Sequence, residues 1–115
     1  MKGSFMNTSR EKFSQLRKGL LELAVLKVIS AQKVYVADIL STLGETEFET
    51  AEGTLYPLLS RLRRDKYVDY EWVESETGPP RKYYLLTAAG RQYMHETETY
   101  WQTLNSTIAT VGAKQ

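Results

Sequence analysis

Residues 53–87 read GTLYPLLSRLRRDKYVDYEWVESETGPPRKYYLLT. Leu55, Leu58, Leu59 and Leu62 fall at helical spacing on one side of a short segment that ends in Arg61, Arg63 and Arg64. Residues 67–73 and 82–86 then alternate and are rich in tyrosine, valine and leucine, which predicts two strands. Between them, Ser75 to Pro80 holds turn chemistry. Gly78 supplies φ freedom, and Pro79 and Pro80 cannot donate ladder hydrogen bonds. A basic helix running into a hairpin whose second strand opens with Arg81 and Lys82 fits double-stranded DNA. The helix enters the major groove and the hairpin reaches the backbone alongside.

Working outward, Val34 to Leu43 repeats a helical pattern at Val36, Ile39, Leu40 and Leu43, with Gly44 as a left-handed stop. A short acidic loop, 45–49, leads to Thr50, a candidate N-cap, and Glu52 suits the positive end of the next helix. Pro57 is tolerable only near that helix's first turn, so regular structure is expected from about Gly53. Two helices of this length joined by a short turn form a helix-turn-helix. Upstream, a first helix is expected from near Arg10 to Ala31, its apolar positions including Leu16, Leu20, Leu23 and Leu26. Downstream, Thr87 caps a last helix from Ala88 to about Val111. The expected organisation is a loose leader at 1–9, a DNA-binding domain at 10–86, a dimerisation helix at 87–111 and a tail at 112–115.

The chain has 115 residues, enough for one domain and one core. With 42% apolar and 25% charged residues it has the composition of a folded globular protein. It contains no cysteine, which fits a cytoplasmic protein and removes disulfides, thiol catalysis and thiolate metal sites. The apolar run 20–29 holds Glu22 and Lys27 and falls short of the roughly 20 residues a bilayer span needs, so it is expected to be a buried helix. Net charge is only +1, but its distribution is uneven. Charged residues from Asp38 to Glu52 are all acidic, whereas Arg61, Arg63, Arg64 and Lys66 face Asp65 alone. Local field steers a polyanion more than the total does.

His95 is the only histidine, and no second histidine or cysteine completes a metal site with Glu96 or Glu98. Gly78-Pro79-Pro80 offers too few free N–H groups to cradle a phosphate as a glycine-rich loop does. No catalytic residue, cofactor or metal is expected. Opposite the leucine stripe, the reading helix presents Thr54, Pro57, Ser60, Arg61 and Arg64, with Thr54 and Tyr56 in its first turn. Arg61 suits guanine or phosphate and Ser60 suits either, whereas a tyrosine placed as Tyr56 is, beside a core stripe, more often half-buried structure than a reader. Arg81 and Lys82, expected at the exposed hairpin tip, suit phosphate or the minor groove, their alternative being a solvated edge. In the last helix Met94, Trp101, Leu104, Ile108 and Val111 are spaced by 7, 3, 4 and 3 residues, a heptad-like seam. A second copy would bury it, the alternative being that the helix folds back on its own core.

The two segments GTLYPLLSRL (53–62) and GPPRKYYLLTAAG (78–90) closely resemble the signature of the PadR-like transcriptional regulators, over about residues 16–111. The resemblance implies a winged helix-turn-helix fold, mainly α with a small β-hairpin, and a homodimer built by the C-terminal and N-terminal helices. It also implies repression. A single C-terminal helix is similar to the short subfamily that includes sensors of phenolic acids and multidrug-responsive repressors. By that likeness a planar aromatic effector would stack on Trp101 at the dimer centre, in a pocket or seam shared with Leu20, Met94, Leu104 and Ile108; Trp101 as plain dimer core is the alternative. The chain departs from the family pattern at Tyr35-Val36-Ala37, where a Gly-Tyr is common, and at Lys66, where a glycine usually follows the recognition helix. A reading from another class is a winged-helix module that binds a partner protein.

Overall fold

The computed structural model describes residues 11–113, so the expected leader at 1–9 and the end of the tail lie outside the described residues. Among the described residues four helices and one hairpin follow in the order α1 (Ser14–Ala31), α2 (Val36–Leu43), α3 (Glu52–Arg64), β1 (Val68–Ser75), β2 (Gly78–Leu86) and α4 (Ala88–Ala113). The fold is mainly helical with a two-stranded antiparallel wing.

The core takes Leu21, Leu23, Val25, Leu26 and Ile29 from α1, Ile39 and Leu43 from α2, and Leu55, Leu59 and Leu62 from α3. Val68 and Tyr84 close it from the wing, and Met94 from α4. Leu16 is exposed and Leu20 half-buried, so the buried face of α1 is shorter than its apolar spacing suggests. Burial begins at Leu21, where other elements meet the helix.

Three local expectations shift. The second helix starts at Val36 because Val34 is used elsewhere: it exchanges hydrogen bonds of 3.1 and 2.7 Å with the backbone of Tyr84. Asp38 then accepts from the Tyr35 N–H at 3.3 Å, satisfying a donor at the helix start. Gly44 stays right-handed (φ −62°) and is not a left-handed stop. Helix α3 begins at Glu52 behind Ala51, and no side chain caps it, so Thr50 does not act as expected. Pro57 sits inside that helix, leaving the Gly53 carbonyl without its usual donor; both residues are exposed, so water can meet it.

The end of α3 turns on Lys66, whose φ of 67° makes it the non-glycine residue in the left-handed region among those described. Its N–H donates to the Arg63 carbonyl and that of Tyr67 to the Leu62 carbonyl, both at 2.9 Å. These are the paired bonds of a Schellman motif, built here around a lysine. A side chain in this conformation costs roughly 1–2 kcal/mol. The motif turns Tyr67 onto the core and starts the wing.

In the wing, Val68 pairs with Leu86, Tyr70 with Tyr84, Trp72 with Lys82 and Val73 with Arg81. A bulge between Val73 and Ser75 absorbs Pro79 and Pro80 within β2, and the tip is Glu76-Thr77. Arg81 and Lys82 therefore stand in the body of the hairpin rather than at its tip, because the prolines extend the strand instead of forming the turn.

Thr87 caps α4 as expected: its hydroxyl oxygen accepts from the Gly90 N–H at 2.9 Å, and its own N–H donates to the Tyr67 carbonyl at 3.1 Å. A Cβ at Gly90 would lie 1.8 Å from that carbonyl oxygen, so only glycine lets the helix seat there. Further along, Tyr93 stacks on Tyr67 with ring centres 4.1 Å apart and planes 4° apart. Met94, expected on an intermolecular seam, is 3% exposed and belongs to the chain's own core, because the first half of α4 lies against it. Beyond Glu98 most of the helix is exposed, including Tyr100, Leu104, Ile108 and Val111. The result is elongated, 61 × 41 × 20 Å.

Candidate nucleic-acid interface

Helix α3 buries Leu55, Leu59 and Leu62, which turns Tyr56 and, four residues on, Ser60 outward along one stripe, with Arg63 and Arg64 three and four residues past Ser60. That stripe faces the wing. Ser60, Arg63 and Arg64 border a cleft of about 680 Å³ whose other wall holds Asp69, Tyr70 and Lys82. The Arg63 guanidinium lies 4.2 Å from the centre of the Tyr70 ring, and the Lys82 ammonium 4.3 Å from the same ring. One tyrosine thus gathers a helix cation and a wing cation. Asp69 accepts from Arg63 Nε at 3.2 Å and from the Tyr70 N–H at 2.8 Å. The backbone N–H first, and the guanidinium second, hold its carboxyl below the usual carboxylate value.

A second notch joins the start of α2, the first turns of α3 and the wing. Tyr35, Tyr56, Trp72, Arg81 and Lys82 line it. As neighbours on a strand, Arg81 and Lys82 project to opposite faces. Arg81 lies 4.8 Å over Tyr35, which in turn meets Tyr83 at 5.3 Å. Lys82 lies on the side of Tyr70 and Trp72. Tyr56 is 45% exposed, so it stands on the surface rather than in the leucine core. Behind it Tyr84 is buried in the wing, and burial first, with Tyr56 and Tyr70 nearby, pushes its phenol up.

Of the residues expected to touch DNA, Thr54, Tyr56, Ser60 and Arg64 are exposed on α3 and Arg81 is exposed on β2. Arg61 is turned elsewhere. Its Nη2 meets Glu22 Oε2 of α1 at 3.3 Å, while Glu22 Oε1 accepts from the Tyr93 hydroxyl at 3.1 Å. Its position, one residue round from Ser60, carries it to the α1 side, and Arg63 takes the place beside the wing. The sequence marks Arg63 and Lys66 only as part of a basic cluster, Lys66 also as a missing glycine, and Trp72 only as a strand residue; none of the three is assigned to the DNA face there. A stricter helical wheel places Arg63 three residues past Ser60, and strand alternation places Trp72 with Tyr70 and opposite Lys82. Trp72 is 63% exposed.

Among the residues expected at the dimer or effector site, Leu20 and Trp101 are half-buried, while Leu104 and Ile108 are exposed. His95 is exposed on α4, and among the described residues no group of three or more histidines and carboxylates is placed to hold a metal. No helix among them is long and apolar enough to cross a membrane.

Residues 25–96 match the family described as transcriptional regulator PadR-like. Among solved structures, a PadR-like transcription factor from Bacteroides fragilis is 44% identical, with 88% of this chain and 98% of that one covered and a TM-score of 0.75. A PadR-like transcriptional regulator from Bacillus cereus is 32% identical over 84% of this chain and 95% of that one, with a TM-score of 0.74. A PadR family regulator from Eggerthella lenta is 26% identical, covers 94% of this chain and 95% of its own, and gives a TM-score of 0.82.

Proposed function

The chain belongs to the PadR-like family of transcriptional regulators, DNA-binding proteins rather than enzymes, and from that premise we propose that it acts as a homodimeric, ligand-responsive repressor on a pseudo-palindromic operator. The observation that carries this reading is the shared face of α3 and the wing, where Ser60, Arg63, Arg64 and Lys82 surround one cleft. Thr54, Tyr56 and Ser60 face the bases and nearby phosphates from the first turns of α3. Arg63, Arg64, Arg81 and Lys82 hold the backbone and set the register. Arg61 supports the reading helix from α1 through Glu22.

The exposed second half of α4 supports pairing of two copies. Leu104, Ile108 and Val111 repeat every three or four residues on a helix that its own chain leaves uncovered. Packing against a second α4 and α1 would bury them and set two copies of α3 on one side of a twofold axis. Trp101 and Leu20 would then lie near that axis, where a planar aromatic effector stacks on the indole and shifts the spacing of the two reading helices.

Three experiments test the reading. Sedimentation equilibrium should give the mass of two chains, and fragments selected from the host genome should share a site with twofold symmetry. A single-chain mass, or bound fragments without symmetry, contradicts the dimeric operator. For the effector, planar dyes titrated against a Trp72→Phe variant should quench the remaining indole; unchanged emission at saturating dye rules out stacking on Trp101.

A further inference from the structure

The cleft between the last turn of α3 and the base of the wing contains more charge than folding requires. Arg63, Arg64, Lys66 and Lys82 all line it, against the single carboxylate of Asp69. Asp69 is already engaged with Arg63 and the Tyr70 N–H. Among the described residues no ion pair is made by Arg64, Lys66 or Lys82. Arg63 and Lys82 both lie against the Tyr70 ring, so the cleft gathers like charges that a bound anion would offset.

Lys66 adds a second, independent observation. It occupies the left-handed position of the Schellman turn, which glycine takes without strain. The turn's hydrogen bonds are made by backbone atoms, so they do not need a lysine side chain. Lys66 thus sets a charge on the rim of a cationic cleft at a backbone cost that glycine would not carry, which points to its side chain as the reason for the residue. Lys82 also borders the notch that holds Tyr56 and Arg81, so the cleft is continuous with the face assigned to DNA.

We infer that Lys66 adds its ammonium to this cleft's hold on a backbone phosphate of duplex DNA, as the strained, charge-supplying member of the seat. The inference rests on the reading of α3 and the wing as the DNA face, and it adds a contact at the C-terminal end of α3, outside the residues that read bases. Phosphate contacts carry no sequence information, so the seat strengthens binding to all duplexes alike.

Lys66→Gly separates the two roles, because it relieves the backbone while removing the charge. Binding of wild type, Lys66→Gly and Lys66→Arg to a fluorescein-labelled mixed-sequence duplex is measured by anisotropy across a salt series, with thermal unfolding of each protein alongside. Lys66→Gly should melt no lower than wild type, yet bind roughly tenfold more weakly at low salt, with a log–log salt slope shallower by about 0.9 per protomer. Lys66→Arg should keep both affinity and slope. Unchanged affinity and slope in Lys66→Gly, or an equal loss in Lys66→Arg, overturns the seat while leaving the DNA reading intact. Salt-independent binding by wild type itself would instead overturn the reading on which the seat depends.

Discussion

At the residue scale, a few side chains are held so closely that single substitutions report on them. Gly90 packs its backbone against the Tyr67 carbonyl, with 1.8 Å left for a Cβ. Gly90→Ala should therefore destabilise by about 3 kcal/mol, as overpacking does, and thermal melting measures it. A loss below about 0.5 kcal/mol would mean that α4 does not seat on that carbonyl. The two neighbouring arginines of α3 make a sharper comparison. Arg63 stands in the cleft with Lys82, and Arg61 pairs with Glu22. Arg63→Gln should weaken duplex binding and flatten its salt slope by about 1, whereas Arg61→Gln should leave the slope near wild type. Equal effects would put both guanidiniums on phosphate and contradict the geometry. The Arg61–Glu22 pair is part-exposed, so its loss should alter stability by less than about 1 kcal/mol.

At the scale of elements, Tyr93 ties α4 to α1 through Glu22 and to the start of the wing through Tyr67. Burial first, then the Glu22 carboxylate, pushes its phenol up. A raised folded value means the neutral form is favoured in the fold. The stability it contributes is whole below the unfolded value of about 10 and is lost as pH rises through the folded one. Alkaline unfolding should thus steepen above about pH 10 in wild type and less so in Tyr93→Phe; identical profiles would remove Tyr93 from the coupling. What was legible in sequence was local. The leucine stripe of α3, the alternation of both strands and the Thr87 cap each lie within a few residues, so spacing suffices to find them. The Val34–Tyr84 bridge, the Arg61–Glu22 pair and the core position of Met94 depend on residues far away in the chain, and no window over the sequence contains both partners. The hairpin tip was misplaced because proline and glycine mark a break in pairing without saying whether it is a turn or a bulge. The left-handed Lys66 was foreseen only as a missing glycine.

At the scale of the molecule, shape governs the account. The radius of gyration of 16.7 Å exceeds the roughly 13 Å of a compact chain of about 100 residues, because the second half of α4 leaves the body. Ile108 is 68% exposed there. In the proposed dimer a Glu at that position would place two like charges across the twofold seam, so Ile108→Glu should yield monomers by sedimentation while melting of the monomeric fold changes little. A dimer undisturbed by Ile108→Glu would move the seam to another face. In that proposed dimer two linked reading helices would also double the phosphate contacts made at one site, which is where the whole assembly becomes measurable. The affinity of the wild-type protein for its selected duplex, followed from about 50 to 200 mM salt, should fall by on the order of a hundredfold or more, linearly on a log–log plot. An affinity that stays flat across that range would contradict a cationic helix and wing gripping DNA.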